Sequence, residues 1–116
     1  MREITIGKKQ VRVRATPLAL LYYQQEFDSD LVGDIVKMKG AEKDPSKFDS
    51  VVCLRITWAM AKADTGINNS FPDFLTWLSE LDSFDLSNPE LLKAVMEEAA
   101  DGFFRRGVQK KQGNRK

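Results

Sequence analysis

The sequence predicts a mainly α-helical protein, a small bundle of about five helices preceded by a short β-hairpin. Three observations support this fold class. The first residues alternate apolar and polar side chains around a Gly-Lys-Lys turn, which is the period of a strand. Most of the remaining chain carries apolar residues at helical spacing, and most of these segments follow a residue that commonly caps a helix. At 116 residues, with 42% apolar and 30% charged residues, the chain has the size and composition of one domain.

The N-terminal segment EITIGKKQVRVRA predicts the hairpin, over residues 2–14. Ile4 and Ile6 share one face of the first strand, and Val11 and Val13 share one face of the second. Side chains alternate between the two faces of a strand, so this register separates an apolar face from a polar one. We therefore expect the apolar face of the hairpin to join the helical bundle.

Two helices are predicted to follow the hairpin. In ATPLALLYYQQEF, Thr16 occupies the cap position and Pro17 the first helical position, where its missing N–H breaks no hydrogen bond. A bend is expected near residues 28–29, before the segment DLVGDIVKMK. The spacing of this second segment places three large apolar residues on one side, namely Leu31, Ile35 and Met38.

The third predicted helix begins at Asp44 and Pro45, a cap followed by proline, and reaches Ala63. Apolar residues surround most of it, which is typical of the central helix of a bundle. These residues are Phe48, Val51, Val52, Leu54, Ile56, Trp58, Ala59, Met60, Ala61 and Ala63. Arg55 interrupts this apolar surface. Either its stem packs while its charged group reaches an edge or a carboxylate, or it is an interface arginine.

The stretch SFPDFLTWLSEL predicts a fourth helix, capped by Ser70 with Asp73 three residues later. Its apolar residues span an arc of about 160°. At the centre of this arc, facing the core, lie Phe71, Phe74 and Leu78. Leu75 and Trp77 lie at its two flanks, which leaves two interpretations. Either all six apolar residues belong to one core, or a flank is half-exposed and a partner covers it, a position in which tryptophan is favoured. Leu75 and Trp77 are therefore candidate partner-binding residues.

The last predicted helix starts at Asn88 and Pro89 and is stopped by Gly107. One continuous apolar face runs along it, formed by Leu91, Leu92, Val95, Met96, Ala99, Ala100, Phe103 and Phe104. The final segment, VQKKQGNRK, is too polar to fold alone. We therefore predict a single helical domain over residues 1–107 and a basic, disordered tail over residues 108–116.

The formal net charge of +1 conceals a separation of charge along the chain. Residues 1–14 carry five basic groups and one acidic group, whereas residues 105–116 carry six basic groups and no acidic one. Between 15 and 104 lie seven basic and sixteen acidic residues, a balance of −9. The basic ends of one molecule could meet the acidic body of the next, so head-to-tail self-association is an expected consequence. The basic candidates for partner binding are Arg105, Arg106, Lys110 and Lys111.

Residues that commonly perform catalysis or bind metals are scarce. The chain has no histidine, and its one cysteine, Cys53, lies in an apolar stretch without a base to activate it. No glycine-rich phosphate loop occurs. In DSDLVGDIVKMK two aspartates fit the start of a calcium loop, but Val32 and Lys39 stand where ligand oxygens are needed. We therefore predict no enzymatic activity, no cofactor and no metal.

The expected location is the cytoplasm. No apolar run reaches the roughly 18 residues of a membrane span, and MREITIGKKQ lacks the apolar core of a signal peptide. A single cysteine agrees with a reducing compartment. The basic tail has no interleaved aromatic residues and the acidic body would repel phosphates, which argues against nucleic acid as the main partner.

The order of these features resembles the tail assembly chaperones of long-tailed phages and Gram-positive prophages. The resemblance covers about residues 2–110. It rests on the hairpin, on the step from Glu26 and Phe27 to Asp30, and on the helix containing LRITWAMAKA. It rests also on the pattern F-x-x-F-L-x-W-L beginning at Phe71, followed by an amphipathic helix and a basic tail. These motifs are patterns of fold and include no active site.

The resemblance implies a protein that coats the tape measure protein in the host cytoplasm, keeps it soluble and recruits tail tube subunits. Such chaperones are absent from the mature virion and are not enzymes. Many are also made in a longer, frameshifted form. The alternatives left open by the residues are a small helical regulator that uses its basic tail on nucleic acid, and an enzyme subunit or adaptor.

Overall fold

The computed structural model describes residues 1–40, 43–44, 46, 49–83 and 89–104. In these residues the chain forms a two-stranded antiparallel hairpin and five helices, so the predicted fold class is confirmed. The elements are β1 (Arg2–Ile6), β2 (Lys9–Val13), α1 (Pro17–Phe27), α2 (Leu31–Lys39), α3 (Ser50–Thr65), α4 (Phe74–Ser79) and α5 (Pro89–Phe103). One hydrophobic core joins residues from all seven elements.

The hairpin packs as its alternating pattern predicts. Ile4, Ile6, Val11 and Val13 are buried, β1 packs against α5 and β2 against α3. The strands are joined by a two-residue turn that begins at Gly7, whose φ of 63° favours glycine. A Cβ atom at this position would also lie 2.5 Å from side-chain oxygens of residues 82 and 83. The turn therefore requires glycine for two separate reasons.

Helices α1 and α2 are short, pack against each other and are joined by a sharp bend. Asp28 ends α1 in the left-handed conformation, with φ 53° and ψ 44°. Asp30 then caps α2, because its Oδ2 atom accepts a hydrogen bond from the backbone N–H of Gly33 at 3.2 Å. Thr16 does occupy the cap position of α1, but its side chain makes no capping hydrogen bond. The predicted core side of α2 is confirmed by the burial of Leu31, Ile35 and Met38.

Helix α3 is the central element, as predicted, but it begins later than the sequence suggests. It packs against β2 and against each of the other four helices. Its cap is Asp49, whose Oδ1 atom accepts hydrogen bonds from the N–H groups of Val51 and Val52 at 3.1 and 3.2 Å. The prediction of a start at Asp44 was wrong. Asp44 instead accepts two hydrogen bonds from Ser46, which satisfies its carboxylate locally.

Helix α5 begins at Pro89, as predicted, and ends at Phe103. Leu91, Val95 and Ala99 on its apolar face are buried. The predicted cap Asn88, the predicted stop Gly107 and the proposed tail 108–116 lie outside the described residues. The predicted domain boundary at 107 therefore stays a prediction.

We expect the substitution Trp58→Ala to lower the free energy of unfolding by about 3–5 kcal/mol, the usual cost of removing a large buried aromatic side chain. Trp58 is 0% exposed, and its ring centroid lies 5.5 Å from that of Phe27 and 6.2 Å from that of Phe74. The measurement is urea unfolding followed by circular dichroism. The control is Leu75→Ala, an exposed site that should change stability by less than about 0.5 kcal/mol. Equal midpoints for the two variants would contradict the central position of α3.

Candidate partner-binding surface

The short helix α4 carries the two apolar candidates, and local hydrogen bonds set where it begins. Its cap is Asp73, which accepts a hydrogen bond from the backbone N–H of Thr76 at 2.9 Å. Hydrogen bonds from the side chain and backbone of Thr76 lower the pKa of the Asp73 carboxyl. The predicted cap, Ser70, lies in the extended segment before the helix, so that prediction was wrong. Pro72, next to the true cap, instead accepts a hydrogen bond from Trp58 Nε1 at 3.1 Å.

Trp77 is a core residue, contrary to the prediction of a half-exposed flank. Only 3% of it is exposed, and its ring stacks near that of Phe74 with centroids 6.4 Å apart. The helix periodicity placed Trp77 correctly at the edge of the apolar arc. That edge lies in the core, because Trp77 belongs to the same buried cluster as Val11 of β2 and Ala61 of α3. Trp77 is therefore unavailable for direct contact along most of its surface.

Leu75, by contrast, is 75% exposed, so this flank of the arc is the exposed one. Sequence analysis missed a second exposed apolar residue, Ile67, which is 72% exposed in the connection between α3 and α4. The only signal for it was a β-branched residue between Gly66 and Asn68 in the polar segment DTGINN. We call the segment from Gly66 to Leu81, with these two side chains, the α4 surface.

A groove of about 300 Å³ lies beside the α4 surface, between α4 and β2. Its apolar lining consists of Val11, Ala61, Phe71, Pro72 and Trp77. Charged residues also line it, and they are paired. Lys9 Nζ lies 3.5 Å from Glu80 Oε1, and Arg12 Nε lies 3.1 Å from Asp64 Oδ2. The groove thus combines an apolar lining with charged residues that pair with each other. Because these charges are already paired, the groove suits a protein segment better than a charged small molecule.

The basic residues of the hairpin are largely neutralised within the molecule. Arg12 and Arg14 both pair with Asp64, which is mostly buried. Arg2 lies within ion-pair distance of three acidic residues of α5, namely Glu97, Glu98 and Asp101. Of the five basic residues before position 15, only Lys8 has no ion pair with a described residue. The N-terminal charge is therefore engaged inside the fold.

Arg55 follows neither sequence interpretation completely. It is half-buried, and its guanidinium carbon lies 5.0 Å from the centroid of the Phe27 ring, a cation–π arrangement. Its Nε atom is buried without a hydrogen-bond partner among the described residues. Nearby, Tyr23 donates a hydrogen bond to Asp34 Oδ2 at 2.5 Å. Burial raises the pKa of Tyr23, and the hydrogen bond to Asp34 raises it further.

Cys53 lies inside α3 and is buried. Burial raises the pKa of its thiol to about 11, while its hydrogen bond with Thr57 acts in the opposite direction. Because the thiolate is the reactive form, the fold suppresses its nucleophilicity. Within the described ranges, no group of three or more histidine, cysteine, aspartate or glutamate side chains is arranged to hold a metal ion.

The Cys53 thiol generates a prediction about alkaline stability. Unfolding returns its pKa to about 9.0, whereas the folded state keeps it near 11, so the unfolded state loses the proton first. The contribution of the protonated thiol to the free energy of unfolding is therefore complete below pH 9 and decreases as the pH rises towards 11. We expect the parent protein to lose about 2 kcal/mol more than the Cys53→Ala variant between pH 8 and pH 11. Chemical unfolding at a series of pH values measures this difference, and parallel curves for the two proteins would contradict it.

The four basic candidates, Arg105, Arg106, Lys110 and Lys111, lie outside the described residues. Among the described residues, no helix is long and apolar enough to cross a membrane. Comparison with known proteins finds no matching family model, no similar curated protein and no similar solved structure.

Proposed function

We propose that this protein is a phage tail assembly chaperone that binds the tape measure protein through the α4 surface. The observation that supports this role is the exposure of Leu75 and Ile67, at 75% and 72%, within the α4 surface. Single exposed apolar residues are common on protein surfaces. Two large ones in one segment provide apolar anchors that a partner helix can cover.

The construction of α4 supports a binding role for its outer face. Trp77 and Phe74 hold the inner face in the core, so the helix cannot turn to bury Leu75 without exposing both aromatic rings. Exposure of Leu75 is therefore enforced by the packing of its neighbours. A long helical partner with an apolar stripe would bury Leu75 without any rearrangement of the fold.

The remaining parts of the proposal follow from the family resemblance. The chaperone would act in the host cytoplasm, keep the tape measure protein soluble, recruit the major tail tube protein and leave before the virion matures. No catalytic step and no cofactor belong to this role. Head-to-tail self-association stays part of the proposal. Because Arg2, Lys9, Arg12 and Arg14 form ion pairs within the molecule, residues 105–116 would supply most of the positive charge for this contact.

The alternative of a nucleic-acid-associated regulator is weakened by the same ion pairs. A phosphate-binding surface needs unpaired basic groups that can displace counterions. In the hairpin, only Lys8 remains without an ion pair to a described residue. Phosphate binding would then depend on the C-terminal basic segment alone.

We expect the substitutions Leu75→Asp and Ile67→Asp together to abolish co-purification with the tape measure protein. A carboxylate at either site would have to be desolvated under the partner. The measurement is co-expression with a cognate tape measure protein, followed by assay of the soluble fraction and affinity capture. The folded state should be unaffected, because both sites are exposed.

The matched control is Val36→Asp, an equally drastic change at an exposed apolar residue of α2. It should leave the complex and the solubility of the tape measure protein unchanged. If the parent protein does not increase the soluble tape measure protein at all, the chaperone role is wrong. If Val36→Asp alone disrupts the complex, the role stands but the binding surface lies on α2.

A further inference from the structure

A second cleft, separate from the groove beside α4, runs along helix α1. Its volume is about 370 Å³. One side of α1 lines it with residues that recur at helical spacing, and the turn into α2 closes its far end. The lining residues are Pro17, Leu20, Leu21, Gln24, Ser29 and Asp30. Leu21 is among the exposed large apolar side chains of the described residues, so this cleft presents an uncovered apolar wall.

One acidic residue, Asp30, lines the far end of this cleft, and Asp28 lies two residues before it in the turn between α1 and α2. Asp28 and Asp30 are both exposed, and neither forms an ion pair with a described residue. The backbone N–H of Gly33 donates a hydrogen bond to the Asp30 carboxylate, but this amide is neutral, so no positively charged group offsets the negative charge of Asp30. Elsewhere the hairpin neutralises acidic residues, as Arg12 and Arg14 do for Asp64. A basic occupant is therefore the one that fits the end of the cleft.

The described chain ends beside the opposite end of this cleft. Gly102 of α5 lies directly against Ala15, two residues before Pro17 at the start of α1. The last described residue is Phe104, whose ring centroid lies 5.6 Å from Lys39 Nζ at the end of α2. The sequence that continues from this point is RRGVQKKQGNRK, with six basic residues and no acidic one. Charge and location thus indicate the same occupant.

The lengths also agree. Helix α1 has 11 residues, which corresponds to about 17 Å at 1.5 Å per residue. An extended chain covers that distance in about five or six residues. Lys110 and Lys111 are the sixth and seventh residues after Phe104. A segment that followed α1 would therefore bring these two lysines to the level of Asp28 and Asp30.

We propose that residues 105–116 dock along the α1 cleft of their own molecule, with Lys110 and Lys111 paired to Asp28 and Asp30. The tail of a second copy has the same chemistry, but at micromolar protein a tethered segment has a much higher effective concentration, in the millimolar range for short linkers. Exposed ion pairs are individually weak and are screened by salt, so the contact opens readily.

Zero-length carbodiimide crosslinking of the full chain tests this contact. Equal amounts of unlabelled and ¹⁵N-labelled protein are mixed at micromolar concentration, crosslinked at 50 mM salt, digested and analysed by mass spectrometry. We expect crosslinks from Lys110 or Lys111 to Asp28 or Asp30 in which both peptides carry the same isotope. Their yield should fall several-fold at 500 mM salt, because screening weakens exposed pairs. The pair Lys9–Glu80, 3.5 Å apart, is the internal positive control for the reaction.

A charge-matched pair of variants separates the proposed contact from general electrostatics. Asp28→Asn with Asp30→Asn removes both carboxylates, while asparagine tolerates the left-handed conformation at 28 and still caps α2 at 30. If the contact is specific, removing these two carboxylates should not increase the crosslinks of Lys110 and Lys111 to other carboxylates. The control, Asp73→Asn with Asp82→Asn, removes the same charge elsewhere and should leave the 110/111 to 28/30 crosslinks unchanged.

Two results would overturn the proposal. Crosslinks that join unlabelled to labelled peptides would assign the cleft to the tail of a second copy. Absence of any crosslink from the two lysines to residues 28 and 30, while Lys9 and Glu80 react, would remove the contact altogether. Neither result depends on the tape measure protein, so this test can fail while the proposed chaperone function stands, and the converse also holds.

Discussion

Burial of Trp58 is the constraint on which the rest of this structure depends. It is the largest fully buried side chain among the described residues, and its ring contacts aromatic rings from α1 and from the α4 segment. A buried indole requires a partner for its N–H group, and the carbonyl of Pro72 provides it. Helix α4 has six residues, too few to be stable alone, so its place against α3 follows from this contact.

The hairpin is the second organising element, and it acts through both packing and charge. Its apolar face covers α3 and α5, while its arginines reach acidic residues on the same two helices. Exposed ion pairs of this kind contribute only about 0–1 kcal/mol each. Their larger effect is on recognition, because nearby carboxylates offset most of the N-terminal positive charge.

The two proposals use the charges and apolar side chains that remain. On the α4 surface, Leu75 faces outwards because Phe74 and Trp77 occupy the core, and Ile67 is exposed in the connection before α4. Their exposure supports binding of a helical partner. Along α1, a cleft ends at Asp30, next to Asp28 and within reach of the basic C-terminal segment. A chaperone that must coat one partner and then leave benefits from contacts that are each weak and reversible.

The sequence by itself determined the fold class, the hairpin register and the buried sides of α2 and α5, because the periods of strands and helices place apolar residues on defined faces. On α3 the predicted apolar stripe was wrong at Val51, which is exposed. The sequence placed Leu75 and Trp77 at the two flanks of the α4 arc but did not determine which of them is exposed. Only the tertiary structure decided that Trp77 is buried, because it packs into a core to which all the other elements contribute. Local hydrogen bonds also decided where α3 and α4 begin: their caps are Asp49 and Asp73, whereas the sequence predicted Asp44 and Ser70. Periodicity defines one element at a time, whereas burial depends on which other elements lie against it.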